Sequence, residues 1–217
     1  MNDYGKLIIL TGIFVGSLIT ANFIAGVKIV NLWGFMVPAG FIAYAITFPI
    51  TDITSEVYGK KVSYYIVWSG FIANAVMLAL VYAGLLMPPL APEMQETYAK
   101  AFTPVGRIVL ASMIAYLISQ HHDVWSFLTW KKITKGKWLW LRNNASTITS
   151  QLIDTTIFIT IAFYGTLPPN VILGLIGSHW LWKTMVALCD TPFVYLGVIM
   201  ISRKTYENLT YYPNKHH

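Results

Sequence analysis

With 217 residues, 56% of them hydrophobic and only 11% charged, the chain carries less than half the charge of a soluble domain of its size. Its mean hydropathy of +0.57 excludes an ordinary water-soluble globule. A net charge of +6 would suit nucleic acid, but the basic residues lie in short segments between apolar stretches, so no nucleic-acid partner is expected.

A helix needs about 20 predominantly apolar residues to cross a bilayer. Six segments qualify: 7–27, 33–55, 62–87, 103–128, 144–166 and 170–202. The first is long enough to span and is not followed by a small-residue cleavage site, so it reads as a retained helix. Pro38, Gly40 and Pro49 interrupt the second. Residues 87–102, with Pro88, Pro89, Pro92, Glu93 and Glu96, read as an outer loop with room for a short interfacial helix. No soluble domain is left over, and residues 1–217 form one transmembrane domain. The expected fold is an all-α integral membrane protein of six transmembrane helices in the cell membrane. His216 and His217 have the look of a tag stub and are given no function.

The loops set the orientation. With the N-terminus inside, eleven basic residues fall in inner segments: Lys6, Lys60, Lys61, Lys131, Lys132, Lys135, Lys137, Arg142, Arg203, Lys204 and Lys215. Only Lys28 and Lys100 fall outside. Cytoplasmic loops collect Lys and Arg, so both termini are expected in the cytoplasm. Trp130, Trp138 and Trp140 flank the most basic loop, where amphipathic rings favour the headgroups.

Against this apolar background the intramembrane ionisable residues stand out: Asp52, Glu56, Asp123, Asp154, Asp190, Arg107 and Lys183. Each costs roughly 2.5–3.5 kcal/mol near the bilayer centre on insertion scales, so they must face a polar interior. Acids outnumber fixed cations, which suits a cavity that accepts a proton or a cation. Asp52 and Glu56 share a helix face just after Pro49, and Asp190 precedes Pro192. Glu56 beside Lys60 also fits an interfacial ion pair. Thr147, Gln151, Asp154 and Phe158 form one stripe, and His179, Lys183 and Asp190 another. Lys183 and Asp190 lie two turns apart, so each needs a partner on another helix. Ser119-Gln120-His121-His122-Asp123 is echoed by Ser150-Gln151-Leu152-Ile153-Asp154. Gly12-xxx-Gly16 and Ala21-xxx-Ala25 fit close helix packing, and Asn22 fits a pocket or an interhelical hydrogen bond equally well.

Catalytic signatures are missing. The sequence holds no P-loop, His-Glu-x-x-His or Gly-x-Ser-x-Gly pattern, and Cys189, its single cysteine, has no obvious base. His121 and His122 point about 100° apart on a helix, which suits chelation poorly. No enzyme activity, cofactor or metal is expected.

Three blocks carry a family resemblance: Thr51-Asp52-Ile53-Thr54-Ser55-Glu56-Val57-Tyr58-Gly59-Lys60-Lys61; Ala111-Ser112 through Ser119-Gln120-xx-Asp123-Val124 to Phe127; and Leu139-Trp140-Leu141-Arg142-Asn143 through Ser146-Thr147-xx-Ser150-Gln151-xx-Asp154-Thr155 to Phe158. With Lys183 and the tail Asp190-Thr191-Pro192-xx-Tyr195, they resemble the queuosine precursor transporter family, also called the vitamin uptake transporter family. His121-His122 departs from the apolar pair expected there. The resemblance implies a bundle like the substrate-binding subunits of energy-coupling-factor importers. It also implies import of 7-cyano- or 7-aminomethyl-7-deazaguanine, or of a queuine-type base, for tRNA modification. Such a base offers paired N–H donors to a carboxylate, polar edges to amides and a flat face to aromatic rings. The candidate binding residues are Asn22, Gln120, Asp123, Ser146, Thr147, Gln151, Asp154 and Lys183. Asp154 or Asp123 takes the guanine-like edge, and Lys183 is a donor or the counter-ion of Asp190. Asp52, Glu56, Arg107, Arg142 and Asp190 are candidates for coupling or gating. A secondary transporter is the main expectation; the alternative is the binding subunit of an ATP-driven importer, for which Ala21-xxx-Ala25 resembles a docking motif. A homo-oligomer or an energy-coupling module remains open as a partner.

Overall fold

The computed structural model describes residues 3–135, 139–189 and 191–201. Helix α1 (Asp3–Val27) leads into a two-stranded antiparallel hairpin, β1 (Ile29–Leu32) and β2 (Phe35–Pro38). Helices α2 (Phe41–Tyr58), α3 (Lys60–Leu86), α4 (Pro92–Ile133), α5 (Leu139–Phe163), α6 (Pro169–Cys189) and α7 (Thr191–Ile201) follow. Four helical segments are long and apolar enough to cross a membrane: Asp3–Val27, Lys61–Leu86, Pro92–Asp123 and Ala145–Phe163. Pro192–Ile201 is a shorter apolar helix.

The expected second span is corrected at its start. Residues 33–40 are not helical: Trp33 and Gly34 both adopt positive φ, +49° and +92°, and make the two-residue turn of the hairpin. Asn31 Oδ1 accepts a hydrogen bond from the Gly34 amide at 2.9 Å. The helix begins only at Phe41 and continues through Pro49. The expected outer loop is also corrected. Pro92 takes the first position of a helix, where its missing N–H costs nothing, and α4 then runs unbroken for 42 residues. At 1.5 Å per residue that is about 63 Å, twice a hydrocarbon core, so α4 extends beyond it. Over the sixth expected span the structure describes two helices, α6 ending at Cys189 and α7 starting at Thr191; Asp190 lies outside the described residues.

Large apolar side chains such as Ile72, Leu80 and Leu173 are exposed, whereas Asn22, Asn74, Asp154 and Lys183 are buried. That inversion of a soluble protein suits a lipid surround. Two apolar clusters brace the polar interior. One joins Ile108, Ala111, Ala115, Ile159 and Leu175; the other joins Phe14, Leu18, Ile53, Phe71 and Val198. A Cβ added at Gly40 would lie 2.0 Å from the Ala21 carbonyl oxygen, so the start of α2 rests directly on α1 where Ala21 and Ala25 are buried. Gly12 and Gly16 have open space where a Cβ would stand, so the close packing expected there is absent.

Candidate functional site

Helices α4 and α5 run antiparallel in extensive contact, and their two Ser-Gln-x-x-Asp motifs meet. Ser119 Oγ donates to Asp154 Oδ1 at 3.3 Å, and Ser150 Oγ donates to Asp123 Oδ1 at 3.1 Å. Each motif's serine bonds the other's aspartate, and Ser119 Oγ divides its proton between Asp154 and the Tyr116 carbonyl at 3.1 Å. Because Ser150 spends its one proton on Asp123, His122 Nδ1, 3.1 Å away, must donate to Ser150. His122 thus completes a His122–Ser150–Asp123 chain.

Lys183, one turn inward from His179 on α6, reaches Asp154 Oδ2 at 2.5 Å. The two side chains are 7% and 9% exposed, so the ion pair is shielded from solvent screening. The Lys183 ammonium also sits 4.8 Å from the centre of the Tyr44 ring, a cation–π contact from α2. This pair stands between two spaces. A cavity of about 500 Å³ runs from Asp154 and Phe71 toward the α2–α3 junction, where Asp52, Ser55 and Ser63 line it. A pocket of about 30 Å³ lies on the hairpin side, walled by Asn22, Pro38, Gly40, Phe158 and His179. Asp154, Tyr44 and Ser112 belong to both walls.

Of the residues expected to bind, Gln120, Asp123, Thr147, Gln151 and Asp154 line the larger cavity, and Asn22, Asp154 and Lys183 line the smaller pocket. The stripe Thr147–Gln151–Asp154–Phe158 faces these spaces throughout. Asn22 also donates to Asn74 Oδ1 on α3 at 3.0 Å, so it serves as both pocket wall and interhelical bond. Ser146 is buried off the cavity wall. Lys183 finds a counter-ion in Asp154. Asp52 lies on the cavity wall, whereas Glu56 is exposed and off it. Arg107 is away from the cavity: its guanidinium donates to the Ile161 and Tyr164 carbonyls at 2.5 Å each and closes the C-terminal end of α5. The side chain of Arg142 and the whole of Asp190 lie outside the described residues.

Sequence reasoning missed Tyr44, Tyr116 and Thr184 on the cavity wall. Aromatic and hydroxyl side chains are too common in apolar helices to signal a site. His179 was seen only as part of a stripe; it is 4% exposed, and its Nδ1 has no hydrogen-bond partner. Gln151 Oε1 and Thr184 Oγ1 are likewise buried without partners on the cavity wall. Among the described residues, no three His, Cys, Asp or Glu side chains are grouped to hold a metal. The arrangement offers carboxylate and amide acceptors, the Lys183 ammonium and aromatic faces.

Residues 38–197 match the model of the family described as "Putative vitamin uptake transporter". The chain is 34% identical over 177 residues to a "Probable queuosine precursor transporter" of Bacillus subtilis, covering 81% of this chain and 77% of that one. It is 27% identical to the "Queuosine precursor transporter" of Escherichia coli, over 74% and 68% of the two chains. A Haemophilus influenzae protein named "Probable queuosine precursor transporter" is 23% identical over 78% of this chain and 67% of its own. No solved structure matches at a comparable significance. The family model and the Bacillus relative each span most of the sequence, and the chain therefore belongs to the vitamin uptake transporter family: it is a multi-pass transporter of the cell membrane and not an enzyme.

Proposed function

We propose that this protein imports a 7-deazaguanine precursor of queuosine: 7-cyano- or 7-aminomethyl-7-deazaguanine, or a queuine-type base. The observation that carries the reading is the 500 Å³ cavity, whose wall gathers Gln120, Asp123, Gln151 and Asp154 from the two paired helices. Its size falls in the range of small-ligand pockets. Carboxylate and amide oxygens accept the N–H groups of a guanine-like edge, and Tyr44, Phe48, Phe71 and Tyr116 supply the faces against which a flat ring rests. The names carried by the three relatives point to the same substrate class.

The protein works as a bundle crossing the membrane six times with both termini in the cytoplasm. The asymmetry of basic residues supports this orientation. The cavity then faces the cytoplasm, and the β-hairpin closes the outer side. Transport is self-sufficient, driven through one of the acids near a proline, Asp52 or Asp190. Burial of Ala21 and Ala25 beneath Gly40 supports this over docking to a separate ATPase, since the small-residue pair is occupied within the chain. Purified protein in liposomes tests the reading. Uptake of radiolabelled 7-deazaguanines without any partner is expected. A folded protein that binds and carries none of them sinks the proposal; binding without uptake restores the ATP-driven alternative.

A further inference from the structure

The wall of the larger cavity contains three carboxylates, Asp52, Asp123 and Asp154, and Lys183 reaches Asp154 from the adjoining smaller pocket. Lys183 is already committed to Asp154. Arg107 is turned away to the α5 carbonyls. Asp123 differs from Asp154, its counterpart in the repeated motif: among the described residues no Lys or Arg lies within ion-pair distance of it, and His122 reaches it only through Ser150. The repeated motif thus supplies two carboxylates, four residues or about 6 Å apart along the helices, and the chain fills only one of them with its own ammonium.

We propose that Asp123 is the station for a ligand ammonium, so that the cavity selects a flat base bearing a protonated amine over its uncharged counterpart. Within the reading given above, which this inference rests on, that means the aminomethyl precursor is preferred to the cyano one. Two independent features support a ligand at this place. Gln151, beside Asp154 on the same wall, has a buried Oε1 with no donor among the described residues, so an acceptor awaits an N–H. The aromatic rings of Tyr44, Tyr64, Phe71 and Tyr116 line the same cavity and suit a cation as well as a flat base. Lys183 demonstrates that use already, with its ammonium over Tyr44 and on Asp154. A ligand amine at Asp123 repeats the ammonium–carboxylate contact on the other helix's motif. A nitrile cannot, because it brings neither a charge nor a donor.

Equilibrium binding of the two bases to the purified full-length protein tests this. Wild type is expected to hold 7-aminomethyl-7-deazaguanine at least about tenfold more tightly than 7-cyano-7-deazaguanine, the scale of one charged hydrogen bond. Asp123→Asn removes that preference, weakening the aminomethyl base about tenfold or more and the cyano base by less than about threefold. Equal or tighter binding of the cyano base by wild type overturns the inference while leaving the proposed function intact. Survival of the preference in folded Asp123→Asn also overturns it. Binding of neither base defeats the function reading itself. Should Asp123→Asn not fold, Asp123→Glu is the second variant; it keeps the charge, and loss of the preference in that folded variant overturns the assignment.

Discussion

Removing one partner of the Asp154–Lys183 pair should damage the protein far more than removing both. The side chains are 7% and 9% exposed and 2.5 Å apart, so neither charge regains water when its partner goes. Breaking a buried pair costs about 3–5 kcal/mol, because an uncompensated charge stays behind; replacing both members is often nearly neutral. For a chain of this length about 2–4 °C of melting temperature goes with each kcal/mol, so Asp154→Asn or Lys183→Met should melt about 6–20 °C early. The double variant should return to within about 4 °C of wild type, since Tyr44 then faces a neutral methionine stem and Ser119 still has an amide oxygen to bond. Thermal unfolding of the four proteins in one detergent, followed by intrinsic tryptophan fluorescence, measures the cycle. Single variants as stable as wild type, or a double variant that melts as early as the worse single, would refute the pairing as the dominant interaction in the bundle core.

Other consequences are simpler. Gly40→Val should destabilise the junction of α1 and α2, because the first added carbon meets the Ala21 carbonyl oxygen at 2.0 Å. Overpacking of this kind costs about 1–3 kcal/mol, which the same melting assay would read as a loss of several degrees. A cysteine placed at Glu96 should react with an impermeant maleimide from outside intact cells, and one at Lys135 should not; the reverse pattern inverts the topology. Asp52→Asn and Asp190→Asn should each retain equilibrium binding of the base and lose concentrative uptake with its pH dependence; normal uptake by both variants in liposomes removes these acids from coupling.

The sequence made the helices legible where polarity alone decides them. Long apolar runs named α1, α3 and α5 because the bilayer requirement is one of length and hydropathy. It misplaced the start of α2 because the signal for the hairpin is weak: the turn uses Trp33-Gly34, and a bulky residue at positive φ is not among the Asn-Gly or Asp-Gly pairs that announce such turns. It started α4 too late because Pro88, Pro89 and Pro92 read together as a loop, although Pro92 alone is a good first residue of a helix.

The site was more legible than the fold around it, for a reason that lies in the cost of burying charge. A carboxylate in an apolar helix has to face a partner or a cavity, and so Asp123, Gln151 and Asp154 could be assigned to one polar interior from spacing alone. Spacing within a helix says nothing about the rotation of one helix against another. Spacing alone therefore left Lys183 as a donor or the counter-ion of Asp190, and the packing of α6 against α5 brings it to Asp154. The same limit hid the meaning of the repeated Ser-Gln-x-x-Asp motif. As a sequence echo it is five residues of similarity; placed on antiparallel neighbours it becomes a cross-bonded pair in which each serine holds the other helix's acid. A cation from α6 then distinguishes the two acids, satisfying Asp154 and leaving Asp123 on the cavity wall. A transporter needs a site that is polar enough to hold its ligand and unsatisfied enough to want one, and in the proposed reading this difference supplies both from a single repeated motif.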